Sequence, residues 1–221
     1  GAKRSTFDPD PDTSPATMGW MPHPKLLPPP KKPEEMNVFE AAEMGHLSRV
    51  RQLLSANAFA DIDAVDEKGY TALAAAIRGN CLEIAIFLLE KGADTETREP
   101  MTGDTPLTSA AANQSTEIMR MLIKAGALVN EAREIGNWTP LQLAAREGNV
   151  EMIQILVEAG ADLSIVRPNY GGTALFEAAY AKQAEACRAL VAVGAPLGPD
   201  VDQRRFRKHI NAILNGTETP E

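Results

Sequence analysis

The sequence predicts an all-α solenoid: a row of helix-turn-helix units linked by finger hairpins, with a disordered Pro-rich arm in front. Three observations predict it. Thr71, Thr105, Thr139 and Thr173 stand 34 residues apart in succession. Ala recurs at a fixed offset after each (Ala76, Ala110, Ala144, Ala178), and so does Gly (Gly92, Gly126, Gly160, Gly194). Aromatic residues are only 5% of the chain, so the core must come from Ala, Leu, Ile, Val and Met.

Residues 1–34 hold nine of the sixteen prolines and a net charge of +1. Proline lacks an N–H and keeps the residue before it out of helical angles. The run Pro22-His23-Pro24-Lys25-Leu26-Leu27-Pro28-Pro29-Pro30 therefore reads as a flexible or polyproline-II arm.

Within one repeat, Thr caps a first helix and Pro or Ala takes its first position, where a missing N–H costs nothing. Small pairs such as Ala144-Ala145 and Ala178-Ala179 allow close packing. A turn at Gly148-Asn149 leads to a second helix with Val150, Ile153, Leu156 and Val157 at helical spacing, ended by Gly160. Gly69, Gly103, Asn137 and Gly171 lie two residues before each Thr, which predicts a positive φ there.

The stretch from Thr139-Pro140-Leu141 through Ala144-Ala145-Arg146-Glu147-Gly148-Asn149, with Ala159-Gly160-Ala161-Asp162, resembles the ankyrin repeat. The resemblance implies repeats over residues 35–63, 64–99, 100–134, 135–168 and 169–199. The His usual after Thr-Pro-Leu in that family is replaced by Ala74, Thr108, Gln142 and Phe176. The first unit has Met36 at the Thr position, as expected of a capping repeat. Residues 200–221 read as a capping helix and tail: Asp200 is the cap, and Val201, Phe206, Ile210, Ile213 and Leu214 share one face. Arg204, Arg205, Arg207, Lys208 and His209 form a basic cluster on that helix.

Composition excludes several function classes. Net charge is −8, with −9 carried by residues 35–199, which argues against nucleic-acid binding. No apolar run is long enough to span a membrane, and two cysteines provide no disulfide framework. Those cysteines, Cys81 and Cys187, read as small hydrophobes in an intracellular protein, cytoplasmic or nuclear. No phosphate loop, nucleophile elbow or metal-ligand spacing is visible, so the expectation is no enzyme, no cofactor and no metal.

Function is then sought on the surface. The resemblance implies a monomeric scaffold that binds a protein through a concave face. Its variable positions lie just before each Thr and at the end of each first helix. They supply the candidate contacts Met44, Glu67, Tyr70, Arg78, Met101, Asp104, Trp138, Arg146, Glu147, Tyr170 and Tyr180. All three tyrosines fall there, and such residues dominate binding hot spots. For Tyr70 and Trp138, packing between fingers is an equal alternative. The mixed, slightly acidic face suggests a neutral or basic protein segment as partner. The alternative is a targeting or substrate-recognition domain of a larger protein or complex that reads a basic or methyl-lysine peptide.

Overall fold

The computed structural model describes residues 31–55, 61–168, 172–198, 208, 210–213 and 215. Residues 1–30 of the expected Pro-rich arm therefore lie outside the described residues, as do Asp200, Val201 and Arg204–Arg207 of the expected capping helix.

Among the described residues, a turn of 3-10 helix, Pro33–Glu35, precedes five helix pairs. These are α1 (Val38–Glu43) with α2 (Leu47–Ser55), α3 (Ala72–Arg78) with α4 (Leu82–Glu90), and α5 (Pro106–Ala112) with α6 (Thr116–Lys124). Then come α7 (Pro140–Glu147) with α8 (Val150–Glu158), and α9 (Ala174–Tyr180) with α10 (Ala184–Ala192). First helices pack on first helices, α1 on α3 through to α9, and second helices pack on second helices. The core is thus continuous along the stack, and each unit completes the burial of its neighbour.

The periodic Thr does what its chemistry predicts. The hydroxyls of Thr71, Thr105, Thr139 and Thr173 accept from the backbone N–H three residues on. The small pairs Ala75-Ala76, Ala110-Ala111, Ala144-Ala145 and Ala178-Ala179 have no exposed surface, so any larger side chain there would force the layers apart. Gly69, Gly103 and Asn137 adopt the expected positive φ; Gly171 lies outside the described residues. The fingers close as turns: the Asp66 N–H donates to the Tyr70 carbonyl and the Glu99 N–H to the Asp104 carbonyl. A single antiparallel bridge, Val65 with Thr71, is formed among the described residues.

Two sequence expectations change. The cap of the first unit is Asn37 rather than Met36. Asn37 accepts from the Glu40 N–H, and the Glu40 carboxylate accepts from the Asn37 N–H, a reciprocal capping box. Helix α1 is one residue shorter than α3, so aligning the two through Ala41-Ala42 misplaces the cap; Met36 is buried instead. The inter-helix turn is also more general than Gly148. Asn80, Gln114 and Lys182 hold the same left-handed conformation at the matching positions.

At the far end, residues 208, 210–213 and 215 are helical. Ile210 and Ile213 are buried in the core, and Ile210 shares a cavity with Leu175, Val191 and Leu197 of the last unit. Lys208 of the basic cluster is exposed.

Candidate functional site

The fingers and the ends of the first helices form one face. Four large apolar side chains stand exposed on it: Met44, Met101, Ile135 and Tyr180, each more than 60% accessible. Glu67 and Lys68 are exposed at the second finger. Exposed Glu147 accepts from Gln114 of the preceding unit at 3.5 Å. Arg78 bridges units by pairing with Glu43 at 3.2 Å, and its guanidinium lies 4.2 Å from the centre of the Tyr70 ring.

Tyr70, Asp104 and Trp138 are buried, at 8%, 5% and 6% exposure, in place of the surface positions their spacing suggested. For the two aromatics, this is the inter-finger packing alternative. Tyr170 lies outside the described residues. A methyl-lysine cage needs open aromatic faces. Here guanidinium groups already cover them: Arg78 over Tyr70, and Arg167, Arg146 and Arg133 around Trp138 at 3.7, 4.9 and 5.9 Å from its ring.

The arginines around Trp138 come from different elements. Arg133 and Arg167 begin the fourth and fifth fingers, and Arg146 is on the last turn of α7. Together with Ile135, Gly136, Phe176, Glu177 and Tyr180 they line an open cavity of about 490 Å³. Phe176 and Tyr180 stack nearly parallel, 6.2 Å apart. Arg167 donates to Glu177 through two nitrogens, at 2.7 and 3.0 Å, and both residues are buried. Of these residues, the spacing argument singled out Trp138, Arg146 and Tyr180 as contacts. It missed Arg133, Arg167 and Glu177, which lie six residues before and four after each Thr. Reading those two columns together would have found them.

Counted from the start of the finger, six residues before its Thr, the third, fourth and fifth repeats begin one or two residues before the bounds expected from the sequence, and in the third so counted the same two columns hold Glu99 and Ser109. The Ser109 hydroxyl donates to the Glu99 carboxylate at 2.5 Å. Burial raises the Glu99 carboxyl above its ordinary value, and nearby Asp104 adds to this. In the fourth unit Leu143 faces Arg133 from the helix column, so Arg133 has no partner of that kind. Its Nε is buried without a hydrogen bond, its contact with Asp104 is long at 4.0 Å, and one Asp104 oxygen is likewise unpartnered.

Gln142 occupies the column where the related repeats carry His. It completes a capping box with Thr139 and donates to the carbonyls of Ile165 and Gly172, at 2.9 and 3.0 Å. It thereby ties α7 to the next finger.

The thiols suit packing better than chemistry. Cys187 is fully buried, and burial pushes its thiol up to about 11. At neutral pH it holds its proton and is a poor nucleophile. Cys81 is half-buried and is also raised, by burial and then by Glu43. Among the described residues no cluster of His, Cys, Asp and Glu is arranged to hold a metal ion, and no helix is long and apolar enough to cross a membrane.

A family model described as ankyrin repeats in three copies matches the chain over residues 38–133, 92–167 and 127–205. No curated protein matches the chain.

Proposed function

This chain belongs to the ankyrin-repeat family, and we propose that it acts without catalysis, as an adaptor, assembly chaperone or inhibitor that engages one protein partner through its finger face. The observation that carries this is the recurrence of Met44, Met101, Ile135 and Tyr180 as large exposed apolar side chains on that one face. Scattered apolar residues on a surface need no explanation, but a set gathered on one face does: Met101 and Ile135 hold one column 34 residues apart, and Met44 and Tyr180 stand at the ends of their first helices. A stack of capped helices holds such a set rigid, which lowers the entropy lost on binding. The partner segment is chosen by shape and apolar contact on this set. The covered faces of Tyr70 and Trp138 weigh against the methyl-lysine version of the alternative.

The test is quantitative affinity capture from lysate of the source cell. A Met101→Ser/Ile135→Ser/Tyr180→Ser variant is compared with wild type and with a Leu128→Ser/Val193→Ser control, which changes exposed apolar residues away from the finger face. Stoichiometric capture of one protein by wild type and control, lost in the triple variant at unchanged melting temperature, is expected. Equal capture by all three proteins, or loss in the control as well, overturns the reading.

A further inference from the structure

The cavity at Trp138 inverts the charge of the protein around it. Residues 35–199 are strongly acidic, yet three guanidinium groups and one carboxylate, Glu177, line this space. A further carboxylate, Asp104, is 4.0 Å from Arg133. Glu177 is already committed to Arg167. Arg146 is exposed and makes no ion pair among the described residues, while Arg133 has a buried Nε with no hydrogen bond. The cavity therefore offers the guanidinium of Arg146, which has no ion pair among the described residues, and that of Arg133, a quarter exposed with only the long Asp104 contact, at 4.9 and 5.9 Å from the same indole. Guanidinium forks match flat oxyanions and bind them through charge-assisted hydrogen bonds. The remaining wall is apolar and flat: Ile135, Phe176 and Tyr180.

The repeat columns show how the excess arises. Six residues before and four after each Thr, the third unit pairs Glu99 with Ser109 and the fifth pairs Arg167 with Glu177. The fourth has Arg133 and Leu143. A basic residue with no polar partner in the helix column stands where its neighbours have one, beside a cavity walled by Trp138, Phe176 and Tyr180.

We propose that this cavity is an oxyanion site. It takes a carboxylate or phosphate carried beside an aromatic or flat apolar side chain on a segment of the protein partner. The oxyanion lies between Arg133 and Arg146, and the apolar group rests on Ile135 and the Phe176–Tyr180 stack. The proposal rests on the finger face being the protein-binding face. Its test uses small probes and needs no partner, so either reading can fail alone.

The test is a titration of the full chain, ¹⁵N-labelled and carrying Trp20→Phe so that one indole signal remains. The probes are phenyl phosphate, phenylacetate, inorganic phosphate and phenyltrimethylammonium. Saturable movement of the Trp138 indole signal with phenyl phosphate or phenylacetate is expected, weakening as salt is raised. The tighter of the two identifies the oxyanion that the partner presents. Arg146→Gln, at an exposed position that leaves the fold intact, should weaken that probe at least about tenfold. Arg133→Gln should weaken it as well. Inorganic phosphate binding as tightly as phenyl phosphate would show that the apolar wall plays no part, which overturns the proposal. So does preference for the cationic probe, absence of saturable binding, or indifference to Arg146→Gln.

Discussion

The third and fifth repeats face the same requirement with opposite chemistry. Each must fill the space between the start of its finger and the middle of its first helix. The third does so with a carboxyl raised by burial and held by a hydroxyl, Glu99 with Ser109. The fifth uses a buried ion pair, Arg167 with Glu177, at 9% and 1% exposure. The comparison teaches that the ankyrin stack accepts quite different polar content at this point, provided it is satisfied inside the unit. Where it is not, as at Arg133 opposite Leu143, charge is left over for something outside the unit.

The largest expected effect lies in the fifth repeat. Glu177→Ala leaves a buried guanidinium without its carboxylate and should cost about 3–5 kcal/mol, measured by urea unfolding. The double variant Glu177→Leu/Arg167→Met should recover most of that loss, because removing both charges also removes the need to pair them. In the third repeat the effect is smaller. Ser109→Ala deletes one hydrogen bond to the Glu99 carboxyl and should cost about 1 kcal/mol. The smallest effect concerns pH. The Glu99 carboxyl is raised in the folded protein, so the folded state holds that proton more tightly than the unfolded chain does. Its stabilising contribution is full below the ordinary value of 4.5 and is lost as pH rises through the raised folded value. Glu99→Gln keeps an acceptor for Ser109 and cannot ionise. It should flatten the fall in stability above pH 4.5 and leave the variant slightly more stable than wild type at neutral pH. An unchanged slope would assign the pH dependence to other groups.

What was legible in the sequence was local. A Thr cap, an Ala pair and a positive-φ Gly each act within a few residues, so a period of 34 exposes them directly. The cap at Asn37 was missed because helix α1 is a residue short, and a rigid period carries the reader to Met36; the Asn37/Glu40 capping box was the available local signal. The left-handed turns at Asn80, Gln114 and Lys182 were hidden because only the first and fourth units mark theirs with Gly, at Gly45 and Gly148. The site was half legible. Exposed Met44, Met101, Ile135 and Tyr180 follow from the repeat frame alone. The burial of Tyr70 and Trp138 does not. It depends on which long cationic side chains fold over them, and Arg167, the nearest to Trp138, comes from the following unit.

Gly148 shows what the junctions demand. Its φ of 75° is one that Asn80, Gln114 and Lys182 also manage. A Cβ at Gly148, however, would lie 2.5 Å from the side-chain oxygen of Gln183, which folds back so that its amide donates to the Arg146 carbonyl at 3.3 Å. The glycine is thus a property of two adjacent units together. In a shuffled or grafted stack, a module with a side chain at the Gly148 place would have to push the Gln183 amide aside and give up its bond to the Arg146 carbonyl, whereas the fourth module, keeping its glycine, makes no such demand on the unit that follows.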